Sequence, residues 1–166
     1  MNARARGLAV VEFAMVLPFM LLLLFGVVDL GRMVLTRQIL INVSREASNL
    51  TSRGTLPSDA IAAVQISAQP LNFPVEGFVI ISEVARSSAG ALTVKSRASG
   101  GGRPQPSRIG ASVGGSATLP VTSTPIPPNG QSVFVTEVYY HSPPVTPLGS
   151  LIGQTIGDIF YDVAFF

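Results

Sequence analysis

The sequence predicts an α+β protein: a long N-terminal, membrane-crossing α-helix followed by a small antiparallel-sheet domain with a long Gly/Pro-rich loop. Three observations predict this class. An apolar run extends from Leu8 to Val28, and an amphipathic helical pattern continues it to Arg53. The distal part of the chain contains short runs rich in Val, Ile and Tyr, which are typical of strands.

These patterns divide the chain into three regions. Residues 1–7 form a short basic leader, residues 8–53 a transmembrane and amphipathic helix, and residues 55–166 a small extracytoplasmic α+β domain. Within that domain, residues 99–130 are dominated by Gly, Ser and Pro and show no hydrophobic periodicity. The composition therefore predicts a flexible loop there.

The apolar run is long enough for a helix of roughly 30 Å, the thickness of one hydrocarbon core. Arg4 and Arg6 precede it without an acid, which favours a cytoplasmic N-terminus and places the distal domain outside. A cleaved secretory signal is the competing interpretation, but such signals have shorter apolar cores and a small-residue cleavage site. The edge from Val27 to Arg32 offers no such site, so we expect the anchor to be retained.

Two residues inside the run need an explanation. An acid such as Glu12 costs about 2.5–3.5 kcal/mol at the bilayer centre, so it either reaches the headgroups or pairs with a specific partner. Pro18 predicts a helix kink, because it removes one backbone hydrogen bond. Whether that kink also sets how the helix packs in a bundle is left open by the sequence.

Beyond the membrane segment, apolar residues recur at helical spacing and mark one face of the same helix. We expect this stripe to contact the protein's own domain, with packing against other subunits as the alternative. Gly54 and Pro57 predict the end of the helix. The stripe consists of Met33, Leu40, Val43, Ala47 and Leu50, with Thr36 at its one polar position.

A second helix and four strands are predicted in the domain. The helix begins at Pro57, is ended by Pro70 and Pro74, and has an apolar face. That face consists of Ile61, Val64, Ala68 and Leu71. The strands are predicted over Phe78–Val84, Ala91–Arg97, Val133–Tyr140 and Phe160–Phe166, and Leu148–Ile159 as a short apolar helix or coil.

Composition argues against several functions. The chain has no cysteine, which excludes disulfides, thiol catalysis and cysteine-based metal sites. His141 is the one histidine and no Gly-x-Ser-x-Gly motif is present, so we predict no catalytic residues, no metal site, no cofactor and no small-molecule substrate. The net charge is +2, and acids and bases nearly balance after Gly54, so we predict no nucleic-acid partner.

The N-terminal residues also carry a family resemblance. Gly7 closes the basic leader, and Glu12 is the fifth residue counted from Leu8. This arrangement resembles the class III signal of type IV pilins and pseudopilins. More narrowly, Val11–Pro18, continuing to Phe25-Gly26, resembles the TadE-like proteins of the tight-adherence (Tad) pilus system. The distal block Val138–Leu148, a Val- and Tyr-rich strand running into a Thr-Pro turn, resembles the same family.

The resemblance implies a pseudopilin or minor pilin-like subunit of a tight-adherence (type IVc, Flp-type) pilus or a related secretion apparatus. It implies cleavage between Gly7 and Leu8 by the prepilin peptidase, and a single-pass location in the bacterial inner membrane. The Glu12 carboxylate would then neutralise the new Leu8 ammonium of a neighbouring subunit and fix the register of assembly.

The implied partners are the prepilin peptidase, other pilin-like subunits, the inner-membrane assembly platform and the lipid bilayer. An unprocessed bitopic membrane-anchored scaffold of a secretion complex is the alternative. The basic, Pro-containing tail of the family does not follow Phe166, which indicates a divergent member or an incomplete C-terminus.

Overall fold

A computed structural model describes residues 3–119, 126–143, 145–147 and 158–166. These residues form three helices and four strands in the described part of the chain. The helices are α1 (Ala3–Ser52), α2 (Pro57–Ser67) and α3 (Phe73–Glu76). The strands are β1 (Gly77–Arg86), β2 (Leu92–Gly101), β3 (Ser132–His141) and β4 (Ile159–Phe165). A long apolar helix followed by an antiparallel sheet confirms the predicted α+β class.

The chain divides into two compact units, and α1 contributes residues to both. One unit comprises Met1–Leu35 with Pro143–Asp158, and the other comprises Thr36–Ser142 with Ile159–Phe166. The second unit contains the whole sheet. Its strands lie in the order β2-β1-β3-β4, and each neighbouring pair is antiparallel.

One face of the sheet is covered by helices. Leu40, Val43 and Ala47 of α1 are almost completely buried, and the apolar residues of α2 join them in one core cluster. This confirms that the predicted stripe contacts the protein's own domain from Leu40 to Leu50, whereas Met33 is not part of the cluster. On the sheet side the cluster contains Val79, Ile81, Val138 and Tyr140. Truncating a large aliphatic side chain such as Leu40 to alanine in a core of this kind costs about 2–5 kcal/mol.

The opposite face of the sheet is covered by the chain between β2 and β3. Ile109 and Leu119 are 1% and 7% exposed and pack against Val84, Val133 and Val135. Both faces of β3 are therefore buried, although its sequence alternates. The composition of residues 99–130 did not predict this, because two isolated apolar side chains leave no periodic signal.

Several element boundaries differ from those predicted. α1 begins at Ala3, within the predicted leader, because Ala and Arg are strong helix formers. Pro74 does not end α2; it lies in the first turn of α3, where the missing N–H costs nothing. The predicted helix or coil over 148–159 lies outside the described residues up to position 157, and Ile159 belongs to β4.

β2 extends to Gly101, so residues 99–101 are strand and not the loop that we predicted. Gly101 pairs with Phe78 and has a φ of 134°, which a glycine adopts readily. A Cβ at this position would lie 2.3 Å from the carbonyl oxygen of Gly77. The glycines that predicted a loop are thus the residues that let the strand ends approach closely.

We predict that part of the Gly/Pro-rich segment is protected from amide hydrogen exchange. The amides of Gly114, Ala117 and Thr118 donate to backbone carbonyls at 2.7, 2.9 and 2.7 Å. These three should exchange much more slowly than Ala111 and Val113, whose amides have no recorded backbone partner among the described residues. Residue-resolved exchange on the full chain in detergent micelles measures this, and equal, fast exchange at all five amides would contradict the packing.

Candidate functional site

The membrane-length part of α1 exposes its apolar side chains. Phe13, Met15 and Leu23 are 61%, 70% and 69% exposed, and the most apolar stretch has a mean hydropathy of 2.5 with none of its residues buried. A core helix of a water-soluble domain would instead bury such side chains. Among the described helices, α1 alone is long and apolar enough to cross a membrane, and this indicates a single-pass membrane protein.

Glu12 interrupts this apolar surface. Its neighbours Val11 and Phe13 are 57% and 61% exposed, and Glu12 itself is exposed. No described residue forms a hydrogen bond or an ion pair with the Glu12 carboxylate. The described part of the chain therefore provides no neutralising group for an acid that a membrane would surround.

Gly7 lies in the first turns of α1 and is exposed. A Cβ built at this position meets no atom within 4 Å, so the packing of this chain does not require a glycine there. Glycine also destabilises a helix interior by about 1 kcal/mol relative to alanine. The structure places Gly7 and Leu8 in one regular helix with Glu12.

Pro18 lies inside α1, and the helix is continuous through it. The carbonyl of Ala14, four residues earlier, lacks the N–H donor that a regular helix would supply. The predicted kink stays a prediction, since helix continuity through the proline is compatible with a bent or a straight axis.

A second acid of the helix is enclosed. Asp29 is 5% exposed, and its carboxylate accepts a hydrogen bond from the hydroxyl of Thr146. The two residues belong to the same compact unit. Thr146 lies in the Thr-Pro turn that carries the distal family resemblance, and Asp29 lies three residues after the N-terminal block, so the bond joins this turn to α1. The sequence gave no signal that Asp29 pairs with this turn.

Glu137 is the centre of a buried hydrogen-bonded cluster on the face of the sheet that the chain between β2 and β3 covers. The sequence did not predict this cluster. The Glu137 side chain is 0% exposed. One carboxylate oxygen accepts the Ser107 hydroxyl, and the other accepts the backbone N–H of Arg108 at 2.8 Å. Tyr139 and Tyr161 place their hydroxyls 3.1 and 3.3 Å from the same oxygen, Oε1. The cluster thereby fastens the segment after β2 onto the sheet.

Burial, followed by the charge of Glu137, raises the pKa of both Tyr139 and Tyr161 well above the usual tyrosine value. The Arg108 guanidinium opposes this shift and lies 4.1 Å from the centre of the Tyr161 ring. The arrangement keeps both phenols protonated, so they can act as donors in the cluster.

His141, the one histidine, has its Nδ1 atom 2.8 Å from a carboxylate oxygen of Glu76, and Arg103 Nε lies 2.9 Å from the same oxygen. These contacts join the end of β3 to α3 and to the segment after β2. Among the described residues, no three His, Cys, Asp or Glu side chains cluster in a way that could hold a metal ion.

A membrane-length helix is continuous with an α+β domain and carries near its start an acid without a partner among the described residues. These features define a class of anchored, single-span proteins. Within that class, residues 7–49 match the family model described as TadE-like protein. This confirms the resemblance of the N-terminal block and implies involvement in the assembly of a tight-adherence pilus, whereas the distal block Val138–Leu148 lies outside the matched residues. No curated protein and no solved structure matches the chain.

We predict that Tyr139 and Tyr161 do not ionise near the usual tyrosine pKa of about 10. In a Tyr140→Phe background, phenolate absorbance should begin to rise only at higher pH, and Glu137→Gln should shift that rise to lower pH by removing the nearby charge. Because the folded-state pKa is raised, the associated stability is complete below about pH 10 and is lost as pH rises toward the folded value. Two normal titrations near pH 10 in the folded protein would contradict the cluster.

Proposed function

We propose that this protein is a pseudopilin or minor pilin-like subunit that helps assemble a tight-adherence pilus or a related secretion apparatus. The single observation that carries the proposal is the Glu12 carboxylate, which has no partner among the described residues, on a membrane-length apolar helix whose most apolar stretch has no buried residue. The family match over residues 7–49 includes this acid and Gly7. In this proposal the protein acts by assembling with others and catalyses no reaction.

The proposed sequence of events starts with cleavage by the prepilin peptidase between Gly7 and Leu8. Cleavage removes the leader with Arg4 and Arg6 and creates an ammonium group on Leu8. The Glu12 carboxylate of one subunit then pairs with the Leu8 ammonium of the next. In an apolar environment each charge alone is strongly destabilising, so the pair forms only at one axial offset between neighbouring helices.

The proposed location is the bacterial inner membrane, with the domain on the extracytoplasmic side. The basic leader supports this orientation, because positively charged flanks favour the cytoplasm. The proposed partners are the peptidase, other pilin-like subunits, the assembly platform and the surrounding lipid.

An unprocessed membrane-anchored scaffold is the second candidate. One observation favours it: α1 runs without interruption from Ala3 through Gly7, so the uncleaved chain already has a regular helix at the proposed cleavage site. The N-terminal residue of the mature protein discriminates between the two candidates.

We predict that the mature membrane protein begins at Leu8, and that Gly7→Leu leaves it full-length. A Cβ at Gly7 meets no atom within 4 Å, so we attribute a processing defect to recognition and not to misfolding. Gly26→Leu is the matched control, because a Cβ there also meets nothing within 4 Å. The mass of the N-terminal peptide, from cells with and without the peptidase, measures cleavage. A mature protein that begins at Met1 or Asn2 would support the scaffold instead.

We predict that Glu12→Gln preserves processing and membrane insertion but impairs assembly. The variant leaves the Leu8 ammonium of a neighbour unpaired, which typically costs about 3–5 kcal/mol, or a hundredfold or more in an association equilibrium. Co-purification with other pilin-like subunits and pili counted on cells measure the loss.

Glu46→Gln is the matched control for this experiment, since Glu46 is an exposed acid on the same helix, outside the apolar segment. The control should assemble normally. Normal assembly of the Glu12 variant would mean that the acid simply reaches the headgroups, and the pairing mechanism would be abandoned.

A further inference from the structure

The outer edge of β2 is covered along one half and open along the other. Near its start, Leu92 and Val94 bond to residues 114–117: the amides of Gly114 and Ala117 donate to the Val94 and Leu92 carbonyls at 2.7 and 2.9 Å. The intervening bridge joins Thr93 to Ser116. This added segment ends before the second half of the strand.

In that second half, the register identifies which backbone groups point away from the sheet. The amide of Gly102 donates to the Gly77 carbonyl at 2.9 Å, so alternate residues after Gly77 in β1 bond towards β2. Their partners in β2 are Gly100 and Ala98. The β2 residues that alternate with Ala98 and Gly100 therefore direct their N–H and C=O groups outward, away from β1.

The outward-directed residues are Arg97, Ser99 and Gly101. Their outward backbone groups have no recorded hydrogen-bond partner among the described residues. Such an open edge is a template for an added strand. Contacts from β3 agree with this assignment, because Arg86 exchanges hydrogen bonds with Gln131 and Gly130 at 2.9 and 2.8 Å and so belongs to the set of β1 residues that bond towards β3.

A groove of about 690 Å³ lies beside this open edge. Phe78 and Ile80, which are 9% and 2% exposed, belong to its lining, as does Ser99 of the edge. Arg97 and Arg108 add two guanidinium groups to the same lining. The groove therefore offers backbone groups, apolar surface and positive charge to one ligand.

The two arginines have no carboxylate within ion-pair distance in the described part of the chain. The Arg97 guanidinium donates to the hydroxyls of Ser82 and Ser107 at 3.0 and 3.2 Å and to the Gly110 carbonyl at 2.8 Å, which are neutral acceptors. The exposed Arg108 guanidinium stacks on Tyr161. The nearest acid of the cluster, Glu137, is completely buried and is bonded to Ser107 and to the Arg108 backbone.

We propose that the open edge from Arg97 to Gly101, together with this groove, binds an extended acidic segment of a partner protein as an additional strand. The edge supplies main-chain hydrogen bonds, while a carboxylate on one face of the added strand reaches the guanidinium of Arg97 or Arg108. Apolar side chains on the same face contact Phe78 and Ile80. The docking deepens the proposed function by naming the chemistry of one partner, but it does not depend on cleavage at Gly7 or on the Glu12 pair.

The test uses a photoreactive benzoyl-phenylalanine at position 99 of the full chain, irradiated in membranes of cells that make the whole apparatus. We expect an adduct whose linked peptide, mapped by mass spectrometry, is an acidic, extended segment of another protein. The control places benzoyl-phenylalanine at position 88, where an exposed serine lies in the β1–β2 turn, and it should not give that adduct. Arg108→Gln should lower its yield roughly tenfold, whereas Arg45→Gln, on the exposed side of α1, should not.

Several outcomes would overturn the docking site: no adduct at position 99, an adduct with lipid, or a linked segment without acidic residues. A linked segment from a second copy of this chain would also overturn the proposal, because it would show self-association and not binding of a partner protein. An undiminished adduct yield in Arg108→Gln would contradict the ionic contact between Arg108 and a carboxylate of the partner. If the subunit is processed and co-purifies with pilin-like subunits in the same cells, these outcomes reject the docking site alone and leave the proposed function intact.

Discussion

The burial of Leu40, Val43 and Ala47 against the sheet is the contact on which the rest of the structure depends. These residues belong to the same helix as the membrane-length segment, so one continuous element serves two environments. The N-terminal part has an apolar surface on all sides, as a lipid-facing helix requires, and the later part is apolar on one side only. α1 is therefore one continuous helix with a different surface in each part.

Polar groups also contribute to that interface. Ser48 of α1 donates to the carbonyl of Ala164 at 3.1 Å, and Ser44 donates to the carboxylate of Asp162. Both acceptors belong to β4, the last strand of the sheet. Because these groups are partly or fully buried, leaving either without its partner would cost about 1–3 kcal/mol. The helix is thus fixed to the sheet edge by directional bonds as well as by apolar packing.

The sequence predicted the elements that have a strong periodic signal, and missed those that depend on single residues. The stripe on α1, the apolar face of α2 and the four strands all came from periodicity or β-propensity. The packing of Ile109, the burial of Glu137 and the Asp29–Thr146 bond each bring together residues far apart in the chain. No local sequence pattern predicts such contacts. The extension of β2 was missed because its glycines resemble a loop in composition, although the close approach to Gly77 requires them.

In the candidate site, too, some residues were predicted from the sequence and others were not. Gly7, Leu8 and Glu12 were found from spacing, and the structure adds that Gly7 is not required for packing and that Glu12 has no described partner. By contrast, the unneutralised guanidinium groups of Arg97 and Arg108 and the open edge beside them could not be found from the sequence. Both depend on which backbone groups the register directs outward and on where the chain after β2 crosses the sheet.

The exposed apolar surface of α1 also restricts the routes by which this protein can move. More than a dozen large apolar side chains between Val10 and Leu35 are exposed. Transferring that many into water would cost on the order of 25 kcal/mol or more, since each contributes about 1.5–3 kcal/mol. A free aqueous intermediate would consequently be almost unpopulated. If the helix leaves lipid, it must therefore exchange lipid contacts for protein contacts directly, without passing through water.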